Sequence, residues 1–114
     1  MLSDQMLNYC HQGIDLILTT GGTGFSKRDV TPEATADIVE RRADNLTFAM
    51  IANSLQYTPK AMLSRGIAGI RENTLIVNLP GSPKAVRENL EYAIDAIIHG
   101  VKILKGDDAE CARK

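Results

Sequence analysis

The most informative segment of the chain is Ile14-Asp15-Leu16-Ile17-Leu18-Thr19-Thr20-Gly21-Gly22-Thr23-Gly24. Residues 14–19 are mostly apolar, too few for a helix, and without the alternation of a half-buried strand. Such a run is typical of a strand buried on both faces of a parallel sheet. A glycine-rich loop follows it directly, at the carboxyl end of the strand, where open α/β sheets bind their ligands.

The sequence on either side of this segment predicts helices. Residues 2–12 carry apolar side chains at helical spacing, and Gly13 is placed to end that helix. After the glycine loop, Thr31 is expected to be an N-cap and Pro32 the first helical residue. We expect this second helix to continue to about Arg42.

The second half of the chain predicts two further helices and a hairpin. One helix is expected to begin near Asp44, and Pro59 begins a short turn through Met62. Residues 67–79 contain two β-prone runs around a short polar connection, which is typical of a β-hairpin. Residues 83–104 then carry one clean apolar stripe, as expected for a long helix packed on a sheet.

The composition limits the classes of function. With 114 residues, 44% of them hydrophobic, the chain is long enough for one domain with a real core. A net charge of −1 offers no basic stripe for nucleic acid. Polar residues 3–5 interrupt any apolar leader, and no run reaches the roughly 20 apolar residues of a membrane helix. We therefore expect a cytoplasmic protein in which Cys10 and Cys111 are reduced thiols.

The glycine loop is a candidate phosphate site. Successive glycine amides can approach a phosphate closely because no Cβ stands in the way. Lys27 and Arg28 follow with positive charge, and Asp29 could hold a divalent cation beside a transferring phosphoryl group. The alternative is a tight exit from the strand without a ligand. The loop is not a P-loop, because no Gly-Lys-Ser/Thr follows it.

A second loop, residues 78–83, joins a predicted strand to the start of the last helix. Backbone N–H groups at a helix N-terminus bind anions, so this loop is a second candidate ligand contact. The alternative is a stiff turn with Pro83 at the first helical position. Arg65 follows a predicted turn, where two roles remain open: reaching an anion, or capping helix carbonyls.

Four motifs occur in order along the chain: residues 19–24 (TTGGTG), 28–34 (RDVTPEA), 63–66 (LSRG) and 78–84 (NLPGSPK). Together they resemble the molybdenum cofactor biosynthesis family, specifically its molybdopterin adenylyltransferases. The resemblance extends from about Ile14 to Leu104. Any one of the motifs would be a weak signal, whereas four in sequence are highly specific.

The resemblance implies a three-layer α/β/α domain with a mostly parallel central sheet, usually assembled as a homotrimer. It implies Mg²⁺-dependent transfer of an adenylyl group from ATP to the terminal phosphate of molybdopterin, with release of pyrophosphate. The product would pass to a molybdenum-inserting enzyme. No nucleic acid or membrane partner is implied.

The resemblance also assigns residues. Asp29 matches a catalytically important aspartate and is our candidate catalytic residue and Mg²⁺ ligand. The candidate substrate- and nucleotide-binding residues belong to the matching loops: Thr20, Gly21, Gly22, Thr23, Gly24, Ser64, Pro80, Gly81 and Ser82.

The chain departs from the family pattern at its front. The family domain opens with a strand, a helix and a second strand that carry another functional aspartate, and none of these has a counterpart here. We therefore expect residues 1–114 to be a single, partial, N-terminally truncated domain. This keeps open a non-catalytic module that binds a pterin or nucleotide, or serves in assembly. A hydrolase of the same fold is disfavoured, because such sequences resemble GGLGPT followed by two acids.

Overall fold

The computed structural model describes residues 1–106, which contain four α-helices and one four-stranded sheet. In chain order the elements are α1 (Leu2–His11), β1 (Leu16–Thr20), α2 (Thr31–Ile38), β2 (Arg41–Arg42), α3 (Asp44–Ser54), a 3-10 helix (Pro59–Leu63), β3 (Ala68–Arg71), β4 (Thr74–Leu79) and α4 (Pro83–Leu104). The strands lie side by side in the order β1-β4-β3-β2. Cys111 lies outside the described residues.

The expected α/β architecture is confirmed. The sheet, however, is mixed, whereas a mostly parallel sheet was expected. Only β1 and β4 pair in parallel, from Leu16 opposite Leu75 to Thr20 opposite Leu79. The predicted hairpin is present as β3 and β4, and its turn places Glu72 in the left-handed region with φ 53°. This hairpin and the short β2–β3 pairing are antiparallel.

The three-layer arrangement follows from the side chains of β4, which alternate between the two faces of the sheet. Leu75, Val77 and Leu79 pack with α3 and α4 around buried Ile97. Ile76 packs on the opposite face with α1 and α2. Every residue of β4 is buried, so this strand forms the centre of the sheet.

The prediction that residues 14–19 form a central strand buried on both faces is corrected. β1 is a strand, but within residues 1–106 its sheet neighbour is β4 alone, so it lies at an edge. Ile17 is buried, whereas Leu18 on the other face is 37% exposed. An apolar run shows that the side chains of a strand avoid water, but it does not show how many neighbouring strands there are. The number of neighbours is decided by pairing with residues far away in the sequence.

Two expectations for α2 are also corrected. Val30, not Thr31, is the N-cap residue, and it makes no side-chain capping bond. The helix ends at Ile38 instead of continuing to Arg42, because Val39 is extended (φ −71°, ψ 142°) and Arg41–Arg42 pair with β3. Ile38, the last residue of the helix, is buried.

The expected end of α1 and the expected packing of α4 are confirmed. Gly13 (φ +82°) follows the end of α1, and α4 packs on the sheet through its apolar stripe. Cys10 is a buried free thiol, and burial raises its pKa above the ordinary 9.0. Within residues 1–106, no helix has the length and apolar character needed to cross a membrane.

A buried asparagine fixes the relative positions of β1, β4 and α2. The Asn78 side-chain amide donates to the hydroxyl oxygens of Thr19 and Thr35, each at 3.0 Å. Its Oδ1 accepts the Ile67 N–H at 3.1 Å. Asn78 is 5% exposed, so these bonds replace water and hold the carboxyl ends of β1 and β4 together.

Candidate functional site

The glycine loop (residues 20–24) leaves β1 at the end of its parallel pairing with β4. The Gly21 N–H donates to the Leu79 carbonyl at 3.0 Å, which extends the ladder by one bond. Gly21 and Gly22 then adopt positive φ angles of 85° and 72°. The backbone therefore turns sharply away from the sheet immediately after the strand ends.

Gly22 packs directly against the start of α2. A Cβ at Gly22 would lie 2.1 Å from Thr31 Oγ1, a distance at which no side chain fits. The Thr31 N–H donates to the Gly22 carbonyl at 3.0 Å, so α2 begins against the loop. This contact explains why Thr31 serves as the first helical residue and not as the expected cap.

The second loop (residues 78–83) lies against the glycine loop. A Cβ added at Gly81 would be only 3.4 Å from the Gly21 Cα. The two loops meet because β1 and β4 are adjacent and parallel, so both strands end at the same edge.

Ser82 ends the second loop as the N-cap of α4. Its Oγ accepts the Ala85 N–H at 3.4 Å, and Pro83 occupies the first turn. The 22-residue helix α4 therefore has its N-terminus next to the glycine loop. Pro83 has no N–H, and the Ala85 and Val86 amides are bonded to Ser82, so the Lys84 amide and the positive dipole end are what favour an anion there.

A cavity of about 290 Å³ opens beside the two loops. Four predicted site residues line it: Thr23, Gly24, Ser64 and Pro80. The other predicted site residues lie outside its lining: Thr20, Gly21, Gly22, Asp29, Gly81 and Ser82. Gly21 and Gly81 nevertheless lie in contact with each other. The candidate region therefore consists of the backbone of the two loops and the cavity beside them.

Sequence reasoning missed most of the cavity wall. Helices and turns contribute the remaining lining residues: Ile51, Ser54, Thr58, Lys60, Ala61, Leu63, Ala85, Glu88 and Asn89. The Ser54 hydroxyl donates to Asn89 Oδ1 at 2.7 Å, which joins α3 to α4 at this wall. A usable signal was present, because Asn89 is a polar residue within the apolar stripe of α4 and is only 6% exposed.

Asp29 lies beside the glycine loop although it follows Gly24 by five positions. The Ser26 N–H donates to Asp29 Oδ2 at 3.0 Å, and the Asp29 N–H donates to the Ser26 carbonyl at 2.9 Å. These bonds form a tight turn that brings the carboxylate back over the loop. A Cβ at Gly24 would be 2.9 Å from Asp29 Oδ2, so the carboxylate occupies the space that glycine leaves.

Arg65 joins the glycine loop to the turn that holds Asp29. Its backbone N–H donates to the Thr23 carbonyl and its Nε to the Gly24 carbonyl, each at 2.7 Å. The guanidinium also donates to the Asp29 carbonyl and to the Glu33 carboxylate. Of the two roles left open for Arg65, the structure shows carbonyl capping, although of a loop instead of a helix end.

The ion pair with Arg65 changes the titration of Glu33. The hydrogen bond from Arg65 is the main cause that holds the pKa of the Glu33 carboxyl below its ordinary value of 4.5. Glu33 lies in the first turn of α2, where a carboxylate also favours the positive end of the helix.

The chain is similar to known proteins over most of its length. Residues 1–99 match the family model described as "Probable molybdopterin binding domain". A molybdopterin adenylyltransferase from Helicobacter pylori is 42% identical over 108 residues, which are 94% of this chain and 61% of the relative. The Escherichia coli molybdopterin adenylyltransferase is 45% identical over 96 residues, 81% of this chain and 47% of the relative. Gephyrin from Dictyostelium discoideum is 50% identical over 103 residues, 90% of this chain and 14% of the relative.

Solved structures agree with this assignment. The molybdopterin biosynthesis Mog protein from Mycobacterium ulcerans has a TM-score of 0.86 at 37% identity, with 90% of this chain and 67% of that chain covered. The molybdopterin biosynthesis enzyme MoaB from Thermus thermophilus has a TM-score of 0.82 at 45% identity, with 92% and 67% covered. The chain spans at most 61% of the length of the three curated relatives named above. It belongs to the molybdopterin-binding domain family of molybdenum cofactor biosynthesis proteins.

Proposed function

We propose that this chain binds ATP and molybdopterin at the glycine loop and catalyses the adenylylation of molybdopterin. One observation carries the proposal: the glycine loop and the N-terminus of α4 meet at Gly21 and Gly81, beside the cavity. An anion and an adjoining ring system can occupy such a region together. Relatives that are 42% and 45% identical over most of this chain are named molybdopterin adenylyltransferases, which supports this choice of substrates.

The phosphates would lie against the backbone of residues 21–24 and near Ser82. Glycine amides and the start of α4 supply donors there without a bulky side chain. The cavity would take one of the two heterocycles. Its wall combines apolar Ile51 and Leu63 with the paired polar groups of Ser54 and Asn89. Apolar surface with a few fixed polar groups is the usual lining of a small-molecule site.

The reaction needs positioning and charge neutralisation more than proton transfer. An oxygen of the terminal phosphate of molybdopterin bonds to the α-phosphorus of ATP. The bond from that phosphorus to the α–β bridging oxygen breaks, and pyrophosphate leaves with the electron pair. The nucleophile is already an anion, so no strong base is required. The loop amides and the start of α4 would stabilise the charge on the transferring group.

The residues present fit a magnesium ion that arrives with the nucleotide. Among residues 1–106, no three His, Cys, Asp or Glu side chains are grouped to hold a metal by themselves. Asp29 Oδ2 is held by the Ser26 N–H, which fixes the carboxylate beside Gly24. Mg²⁺ usually keeps several waters and binds through one or two carboxylates plus substrate phosphates. When bound, it would neutralise phosphate charge, and Asp29 would orient it.

The remaining parts of this proposal rest on the family resemblance. They are a homotrimer, a cytoplasmic location and transfer of the product to a molybdenum-inserting enzyme. The net charge of −1 is consistent with small anionic ligands instead of nucleic acid.

A second candidate is a module of the same family that binds a pterin or nucleotide, or serves in assembly, without turnover. One observation favours it: Asp29 is not part of a larger metal-ligating group within residues 1–106. Both candidates predict ligand binding at the glycine loop. Only the first predicts that bound ATP and molybdopterin react.

The location of the site can be tested with protein labelled with ¹⁵N at glycine. We expect AMP with Mg²⁺ to shift the amide signals of Gly21, Gly22, Gly24 and Gly81. Gly13 is the internal control, because it lies at the end of α1 with nothing within 4 Å of an added Cβ. Equal shifts at Gly13, or none at the loop glycines under saturating AMP, would contradict the proposed site.

A further inference from the structure

Arg65 makes four hydrogen bonds to the region that contains the glycine loop. Three acceptors are backbone carbonyls of Thr23, Gly24 and Asp29, and the fourth is the Glu33 carboxylate. The Arg65 side chain is 33% exposed, which places it mostly beneath the loop surface. Arg65 thereby holds Thr23, which lies 42 positions earlier in the chain, together with Gly24, Asp29 and Glu33.

These contacts fix the direction in which the loop amides point. In a planar trans peptide, the C=O and the following N–H point in opposite directions, and no described peptide bond is cis. The Thr23 and Gly24 carbonyls face Arg65, so the N–H groups of Gly24 and Phe25 face away from it. Neither amide donates to a backbone or side-chain acceptor in residues 1–106. They are therefore free to bind an anion.

Each nitrogen of the Arg65 guanidinium already makes a hydrogen bond. Nε, Nη1 and Nη2 each donate to a protein oxygen, and Glu33 provides the opposing charge. The hydrogen bond to Arg65 lowers the pKa of Glu33, as expected for a formed ion pair. Three of its five N–H groups are thus used and its charge is paired with Glu33, which leaves two N–H groups for any other acceptor.

We propose that Arg65 is a positioning residue that turns the Gly24 and Phe25 amides outward and so makes the glycine loop competent to bind phosphate, without contacting the phosphate itself. This inference rests on the proposed function of the loop. The role depends on the planar fork of arginine, because one ammonium group cannot reach three separated acceptors.

Arg65→Lys is the decisive variant, because it keeps the charge and removes the fork. Arg41→Lys is the matched control, since that side chain is exposed in β2, away from the two loops, and has no hydrogen bond or ion pair to a protein group in residues 1–106. The measurements are the pyrophosphate dissociation constant by calorimetry, hydrogen exchange of amides 22–30, and thermal melting. Glu33→Gln is added because it removes the opposing charge and leaves the carbonyl contacts in place.

We expect Arg65→Lys to accelerate amide exchange in residues 22–30 and to weaken pyrophosphate binding by at least about tenfold, the value of one hydrogen bond to a charged group. Arg41→Lys and Glu33→Gln should stay within about threefold of the parent, because they leave the amide directions unchanged. All variants should melt close to the parent.

Three outcomes overturn or separate the inferences. Parental binding and exchange in Arg65→Lys would overturn the positioning role. Weaker binding without faster exchange, or tighter binding in Glu33→Gln, would instead assign Arg65 to the phosphate and also overturn it. If the parent binds no pyrophosphate while exchange in Arg65→Lys is still accelerated, the proposed function fails and the control of loop geometry by Arg65 is supported.

Discussion

Gly21 and Gly81 lie in backbone contact: a Cβ on Gly81 would be 3.4 Å from the Gly21 Cα, although 60 positions separate the two residues. This contact places the turn after β1 against the turn before α4. It is a direct consequence of the parallel pairing of β1 and β4. The proposed chemistry depends on it, because the phosphates are proposed to lie against the backbone of the glycine loop and near Ser82 of the second loop.

The contact between Gly22 and Thr31 predicts that Gly22→Ala disrupts the glycine loop. Gly13→Ala is a matched control, since Gly13 has a similar positive φ but open space around an added Cβ. Both variants should lose about 1–2 kcal/mol of stability from left-handed strain. Only Gly22→Ala should also displace the start of α2 and abolish AMP binding. Calorimetric binding and urea unfolding measure both effects, and equal AMP affinity in the two variants would contradict this account of the loop.

The proposed charge role of Asp29 predicts that Asp29→Asn lowers adenylyl transfer by about a hundredfold, or on the order of 3 kcal/mol. An asparagine Oδ1 can still accept the Ser26 N–H, so the turn and the melting temperature should be preserved. Asp37→Asn, on the exposed face of α2, is the control. ATP- and molybdopterin-dependent release of pyrophosphate is the measurement. A normally folded variant with the parental rate would show that Asp29 is not catalytic, and unfolding would make it structural.

The buried position of Asn78 predicts a large effect on stability. Asn78→Leu has a similar volume but leaves the Ile67 N–H and the hydroxyls of Thr19 and Thr35 without this partner. We expect unfolding free energy to fall by about 2–4 kcal/mol in urea titrations. Asn45→Ala, on the exposed side of α3, should change it by less than about 0.5 kcal/mol. Similar losses in the two variants would contradict the network.

The Arg65–Glu33 pair predicts a specific pH dependence. Because the folded pKa of Glu33 is lowered, the pair is fully formed above the ordinary value of 4.5 and is lost as pH falls through the lowered pKa. We expect Arg65→Met to return the pKa of Glu33 toward 4.5, whereas Arg28→Met leaves it lowered. Titration of the side-chain carboxyl carbon by NMR measures this. An unchanged Glu33 titration in Arg65→Met would mean that the pair does not form in solution.

Local sequence signals were sufficient for much of the fold. The β3–β4 hairpin, the start of α4 at Pro83 and the end of α1 near Gly13 follow from turn and capping residues within a few positions. The glycine loop was identified because an apolar run ends abruptly in glycines. The positions of these elements could therefore be predicted without knowledge of the sheet.

Long-range contacts account for what the sequence did not predict. The edge position of β1 depends on its partner β4, about 60 residues later. The early end of α2 follows from the pairing of Arg41–Arg42 with β3. The cavity wall joins Ser54 to Asn89 across 35 positions, which no short motif can indicate. The catalytic assignment of Asp29 and the binding assignments of all the other candidate site residues stay predictions.

The most direct test of adenylyl transfer follows the label from ATP labelled at the α-phosphate into molybdopterin. The purified 114-residue chain is incubated with Mg²⁺, labelled ATP and molybdopterin, and the products are separated. We predict labelled, adenylylated molybdopterin and an equal amount of pyrophosphate, both abolished by chelation of Mg²⁺ and reduced about a hundredfold by Asp29→Asn. Saturable binding of both ligands without transfer of the label would contradict the enzymatic account and support the binding module instead.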